Sequence, residues 1–381
     1  MFVKILPFLI ILPSLAYSLI ALWCAHRSFR NRQPLTDHAP PVTILKPVKG
    51  MDAESFENFA SFCRQDYPLF QIVFAVASGE DPVLPVIRRL MAEFPDIDID
   101  LVVNERKYGP NYKVCNLMNA YPQAKYDIII VCDSDILVGP DYLRDVCARF
   151  ADPAVGLVTS LYRSPRVWGA ASALEATGFT VEMVPNVMVA HALEGLTFAL
   201  GASMAVRREA LEAIGGFAAL VDYLADDYQL GNKVFRAGYR LELSAYIVES
   251  VMRKESYGHV FSRQLRWNRT MRVSRPGGFA GFGFTQPFPC AFLALILTGC
   301  SLPGITAVLL LYLVRAMIAV IFSRCYLRDE LFPRWLWLLP LRDLLAFAKW
   351  FLSFFGNRVQ WRGHRYRLQP GGRMIDLEWE E

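Results

Sequence analysis

Two aspartates one residue apart, Asp133 and Asp135, close the apolar run "IIIVCDSDIL" (128–137). Carboxylates that close repel one another unless a cation lies between them. Hard cations such as Mg²⁺ or Mn²⁺ take oxygen ligands and commonly bridge a carboxylate to substrate phosphates. A D-x-D is also a solvated turn that caps a following helix, here the one introduced by Gly139-Pro140-Asp141. Placement at the tip of a buried strand favours the metal, holding a diphosphate whose charge must be neutralised as it leaves. A second acidic pair, Asp226 and Asp227, opens the amphipathic stretch "DDYQLGNKVFRAG" (226–238). Either carboxylate suits the positive end of a helix dipole. A base that removes a proton from an alcohol needs one of them turned into the same cleft.

The third chemical feature is "FSRQLRWNRTMRVSRP" (261–276), which sets Arg263, Arg266, Arg269, Arg272 and Arg275 three apart. On a helix these form a basic stripe, and the later arginines suit anionic headgroups beside a membrane segment. Arg263, Arg266 and Trp267 make a sharper set, since arginine forks pair with phosphate oxygens and an aromatic beside them covers a sugar or lipid acceptor. Lys113, in "GPNYKVCN" (109–116), is a solvated helix start or a phosphate contact. His191 lies in an apolar stretch as a core histidine, and Gly201 marks a close backbone approach.

These residues must be held by the elements between about 40 and 285. Short β-rich runs at 42–48, 71–78, 99–104 and 127–135 alternate with helical patterns at 54–65, 83–94 and 113–121. Nearly continuous apolar strands belong to a parallel sheet covered by helices on both faces, so the expected domain is α/β with a mostly parallel central sheet. Ligands bind outside the carboxyl ends of such strands, which is where Asp133 and Asp135 fall.

At 54% hydrophobic and 20% charged residues the chain is too apolar for an ordinary soluble enzyme, and the excess lies at its two ends. Residues 5–23 form an uninterrupted apolar run long enough to cross a bilayer. Lys4 precedes it, and His26, Arg27, Arg30 and Arg32 follow, which argues for a retained anchor over a cleaved leader and puts residue 26 onward in the cytosol. Two further apolar stretches, 287–322 and 335–356, imply two or three C-terminal crossings. Pro303 and Gly304 split the first, and Arg342, Asp343 and Lys349 make the second amphipathic. Two full crossings would put Arg324, Arg328 and Arg334 outside, against the positive-inside tendency. The expected organisation is an anchor (1–25), a cytosolic catalytic domain (40–285), a C-terminal transmembrane region (286–356) and a cytosolic tail (357–381). Eight cysteines without a CxxC exclude a zinc or redox motif. A net charge of +4, unclustered in the middle of the chain, argues against nucleic acid and permits an anionic phospholipid bilayer.

Taken in order, "GEDP" (79–82), "CDSD" (132–135), "LADDY" (224–228) and "RQLRW" (263–267) resemble the ceramide glucosyltransferase family, the family 21 glycosyltransferases, which includes the bacterial hopanoid-associated glycosyltransferases. The likeness runs from "ILKPVKG" (44–50) through "FENFASFCRQDYP" (56–68) to "WRGHRYRLQPGG" (361–372). It implies a GT-A-like nucleotide-sugar-binding fold and an inverting transfer. It implies Asp81 near the uridine of a UDP-sugar and Asp133 and Asp135 on a divalent cation, Mg or Mn; Lys113, read from the residues alone, is a further donor-binding candidate. Asp227 is the implied general base with Asp226 beside it, and Arg263, Arg266 and Trp267 handle acceptor and diphosphate. The implied donor and acceptor are UDP-glucose with ceramide, or UDP-N-acetylglucosamine with a hopanoid polyol. The implied location is the bacterial inner membrane with the catalytic domain facing the cytosol, or the Golgi membrane in a eukaryote. A processive polysaccharide synthase shares the same motif logic, and a lipid-binding membrane scaffold is the non-enzymatic reading.

Overall fold

The computed structural model describes residues 8–30 and 36–377; Lys4, residues 5–7 of the N-terminal apolar run and Arg32 lie outside the described residues. The chain divides into two compact units. Residues 32–166 and 194–253 make a sheet unit, and residues 1–31, 167–193 and 254–381 make a helical unit.

Seven strands form the central sheet: β1 (Val42–Val48), β2 (Phe70–Val76), β3 (Asp98–Val103), β4 (Ile128–Cys132), β5 (Val155–Thr159), β6 (Ser203–Arg207) and β7 (Arg240–Leu243). Their order is β3-β2-β1-β4-β6-β5-β7. Helices Ser55–Cys63, Leu84–Glu93 and Tyr112–Ala120 connect the first four strands, which pair in parallel. Every residue of β1, β2, β4 and β5 is buried, so both pleat faces need an apolar cover. The period of two sends Ile44, Ile72 and Ile130 into one core with Phe59 and Phe62 of helix Ser55–Cys63. It sends Leu45, Val73 and Val131 into the other with Leu117 and Leu230.

The sheet is mostly parallel as expected, and β6 is its one reversed strand. It runs antiparallel to both β4 and β5, with Ser203 opposite Cys132. That reversal matters for the site, because the residues just before β6 return to the carboxyl end of β4, beside Asp133.

In the helical unit the N-terminal run is helical over Leu12–Arg30. Helices Ala170–Gly178 and Tyr257–Ser274 belong to this unit, so the basic-aromatic motif, expected inside the catalytic domain, groups instead with the C-terminal apolar helices. Among the described residues one helix, Leu302–Tyr326, is long and apolar enough to cross a membrane. The segments Pro276–Thr285 and Pro287–Leu297 qualify only as a pair, bent by 52°. The 287–322 stretch divides between Leu297 and Leu302, at Gly299 and Cys300 with positive φ, just ahead of Pro303 and Gly304. Helix Leu339–Ser353 buries Arg342, Asp343 and Lys349 rather than turning them to solvent. Arg342 pairs with Glu182, Asp343 with Arg315 at 3.2 Å, and Lys349 donates to Gln264. A three-stranded antiparallel sheet, Arg358–Trp361, His364–Leu368 and Met374–Asp376, follows.

Candidate active site

Parallel pairing brings the carboxyl ends of β1, β2 and β4 to one edge of the sheet unit, and the acidic residues collect there. Asp81 follows β2; its carboxylate accepts from the main-chain N–H of Gly50, at 2.9 and 3.2 Å, and of Val83 at 3.0 Å. It thereby ties the turn after β2 to the loop after β1, where Gly50 adopts φ +71°.

Asp133, Ser134 and Asp135 follow β4, and each is fixed from behind. Lys46 of β1 is fully buried and donates to the Asp133 main-chain oxygen at 3.0 Å, with its ammonium 3.6 Å from the Phe62 ring centroid. Burial pulls its pKa down to about 8, against the opposing charges of Asp135 and Asp133. Ser134 Oγ donates to Asp52, and the Asp135 main-chain oxygen accepts from Val251 N–H at 2.8 Å. Ser250 Oγ donates to Asp135 Oδ2 at 3.2 Å. Burial, then the charges of Asp133 and Asp52, push the Asp135 carboxyl up to about 7. A carboxyl pushed up by burial and by neighbouring carboxylates is one whose charged form a bound cation would favour. Among the described residues no three His, Cys, Asp or Glu side chains converge as a closed metal cage. Mg²⁺ and Mn²⁺ suit this donor set, since they are held by one or two carboxylates with the remaining positions left to water and substrate phosphate.

Lys113 is neither solvated nor idle. It begins helix Tyr112–Ala120, whose N-cap Asn111 accepts from Val114 N–H at 3.1 Å and donates through Nδ2 to Tyr223 O at 2.7 Å. The ammonium bridges Asp133 Oδ1 at 2.8 Å and Asp226 Oδ2 at 3.3 Å. Burial opposes its charge, but the flanking aspartates outweigh that and hold its pKa above the usual range.

Asp226 and Asp227 open helix Asp226–Arg236 without capping it by a side-chain hydrogen bond. Asp227 Oδ1 accepts from Tyr228 N–H at 2.7 Å. Burial and the neighbouring Asp226 push its carboxyl up to about 6, with Lys113 pulling the other way. Gly201, just ahead of β6, faces it: a Cβ on Gly201 would lie 2.9 Å from Asp227 Oδ2. The sheet unit therefore assembles Asp81, Asp133, Asp135, Lys113, Asp226 and Asp227. Sequence reading missed Asp52 and Lys46, whose only signals were an acid after "KPVKG" and a charge inside an apolar strand. His191 is half-buried on helix Val184–Glu194, where burial lowers its pKa, and it belongs to the helical unit.

The basic-aromatic motif has its own partners within the helical unit. Arg263 is clamped by two carboxylates, Glu175, which it bonds at 2.9 Å through Nε, and Glu255 at 2.6 Å. Arg266 lies over the Trp361 ring at 5.7 Å, and Trp267 stands 6.5 Å from the Phe179 ring. Arg269 donates to Arg358 O at 2.6 Å and Phe355 O at 3.2 Å, and Arg272 to Gly356 O at 3.3 Å. Arg269 and Arg272 thus bind main-chain carbonyls on either side of the start of the tail; residues three apart drift around a 3.6-residue turn and reach different neighbours.

Residues 6–374 match the family model of Glycosyl transferase family 21. Ceramide glucosyltransferase 3 of Caenorhabditis elegans is 25% identical over 344 residues, covering 88% of this chain and 74% of that protein. Ceramide glucosyltransferase of Candida albicans is 38% identical over 117 residues, 27% of this chain and 21% of the relative. Among solved structures, a mannosyltransferase from Pyrobaculum calidifontis in complex with GDP-Man and Mn²⁺ superposes with a TM-score of 0.58 at 20% identity. The match covers 90% of this chain and 99% of the other, and it establishes a GT-A-like glycosyltransferase fold.

Proposed function

This chain belongs to glycosyl transferase family 21 and is a glycosyltransferase, and we propose that it transfers a hexose from a UDP-sugar to the primary hydroxyl of a membrane lipid with inversion. The names of the relatives, ceramide glucosyltransferases, favour glucose and ceramide, and UDP-glucose is the proposed donor. The observation that carries the reading is the placement of Asp227. Its half-buried carboxylate has a raised pKa, faces a glycine, and shares Lys113 with the D-x-D through Asp226. Asp227 takes the proton of the acceptor hydroxyl as its oxygen attacks the anomeric carbon; the bond to UDP breaks with its electron pair on the leaving phosphate oxygen. A single base with no covalent nucleophile gives a β-glycoside from an α-linked donor. Asp133 and Asp135 would hold Mg²⁺ or Mn²⁺, which would neutralise the diphosphate. Lys113 steadies the Asp133 carboxylate and is a donor-side phosphate contact; Asp81 orders the loop at the uridine end. Arg266 and Trp267 are assigned to diphosphate and acceptor, with Arg263 positioning their helix. The apolar helix Leu302–Tyr326 supports a membrane location.

The test is incubation of the detergent-solubilised protein with Mn²⁺, UDP-glucose or UDP-N-acetylglucosamine, and ceramide or a bacteriohopane polyol, reading lipid products by mass. Glucosylceramide is the expected product. A hexosamine on the hopanoid would replace donor and acceptor while keeping the site. No glycolipid from any combination would overturn the lipid-acceptor reading.

A further inference from the structure

The loop after β1, residues 49–54, reaches two parts of the site at once. Its Gly50 N–H is bound by the Asp81 carboxylate at 2.9 Å. Two residues on, the Asp52 carboxylate accepts from Ser134 Oγ, the side chain between the two aspartates of the D-x-D. Ser134 is buried with its hydroxyl taken by Asp52, while Asp133 and Asp135 on either side are partly exposed. The loop itself is anchored. Asp52 N–H donates to Ser55 Oγ at 2.9 Å, and Ser55 Oγ returns to Asp52 O at 2.9 Å. Asn58 Nδ2 donates to Ala53 O at 2.9 Å and approaches Ser134 O at 3.5 Å. Glu54 holds φ +55° and pairs with Arg166. The Asp52 carboxylate therefore rests on a fixed base, the start of helix Ser55–Cys63, and it meets the D-x-D segment through Ser134.

A two-residue spacing between ligands leaves their relative aim to the residue between them, and partners behind metal ligands commonly set affinity by fixing ligand orientation. We propose that Asp52 is a positioning residue of the D-x-D: through Ser134 Oγ it fixes the angle at which Asp133 and Asp135 offer oxygens to a divalent cation. Because the same loop is held by Asp81, the uridine end and the cation end of the site share one rigid connection. This inference rests on the cation reading given above.

The experiment is titration of the full-length protein, saturated with UDP, by Mn²⁺, with free Mn²⁺ followed by electron paramagnetic resonance. Asp52→Ala and Ser134→Ala should each weaken Mn²⁺ about tenfold, the low end for partners of this kind. The Asp52→Ala/Ser134→Ala double variant should be no weaker than either single one, since both remove the same bond. Asp52→Asn, which keeps an oxygen acceptor for Ser134, should remain within about threefold of the parent, well inside the tenfold scale of such effects. Melting curves identify any variant that fails to fold, and the mild Ser134→Ala change keeps the test decisive. Unchanged affinity in Ser134→Ala, or a double variant about a hundredfold weaker, would overturn the positioning role. No Mn²⁺ binding by the parent protein with UDP would instead remove the cation reading itself.

Discussion

Asp227 is a carboxylate that burial and Asp226 make more basic than usual, its pKa near 6 against an ordinary value near 4. A base must be ionised, so turnover should be lost as pH falls through about 6. Asp226→Asn removes the repulsion that raises it and should move that acid limb of kcat/KM to lower pH; an unmoved limb would assign the titration elsewhere. Asp227→Asn should lower kcat by about 10²–10⁴, the usual worth of a general base, and leave UDP affinity unchanged by calorimetry. Asp133 and Asp135 were legible in sequence because they close a strand whose apolar run is plain; Asp81, and Asp227 rather than Asp226, were named by the family resemblance. Asp52 and Lys46 were not. Nothing local says that a lysine in an apolar strand will bind a carbonyl 87 positions later.

Those carboxylates are only as well placed as the elements that carry them, and helix Asp226–Arg236 shows how narrow the tolerance is. Gly231 lets it lie against the chain before β6: a Cβ there would come within 2.3 Å of Ala199 N and 2.5 Å of the Phe198 carbonyl carbon. Backbone cannot yield as a flexible side chain does. Gly231→Ala should therefore cost about 3 kcal/mol, the upper range for overpacking, measured by denaturant melts, and should lower turnover by moving Asp227 away from Gly201. The strands β1, β2 and β4 announced themselves as nearly continuous apolar runs. The strand β6, "SMAVR", is short and carries no sign of direction, so its reversal, and with it the approach of Gly201 to Asp227, appears only in the fold.

At the scale of the chain, the helical unit is assembled from three separate stretches of sequence, and a buried ion pair joins two of them. Glu182, from the stretch 167–193, meets Arg342 of helix Leu339–Ser353, beside Gly178, where a Cβ would lie 2.6 Å from the guanidinium. Removing one member of a buried pair strands the other charge, at about 3–5 kcal/mol. Arg342→Met should accordingly lower the melting temperature in detergent, and Glu182→Leu/Arg342→Met should recover most of the loss. If the double variant melts below the single, the pair is not an isolated compensation. The amphipathic reading of residues 335–356 saw these charges but not their partners, because pairing across 160 positions leaves no periodic trace.

That separation has a consequence in time. A ribosome adding roughly 5–20 residues per second takes on the order of ten to thirty seconds to get from Glu182 to Arg342. Throughout that interval the nascent chain holds an apolar helix with an acid at its centre whose cationic partner is not yet made; the neutral Gln286, which donates to the same carboxylate at 3.4 Å, comes first. The sheet unit, complete at residue 253, is free to fold first. Once residue 253 has emerged, the stretch 167–193 is a loop out of that unit, held for a docking event that the last third of the message, residues 254–381, must supply.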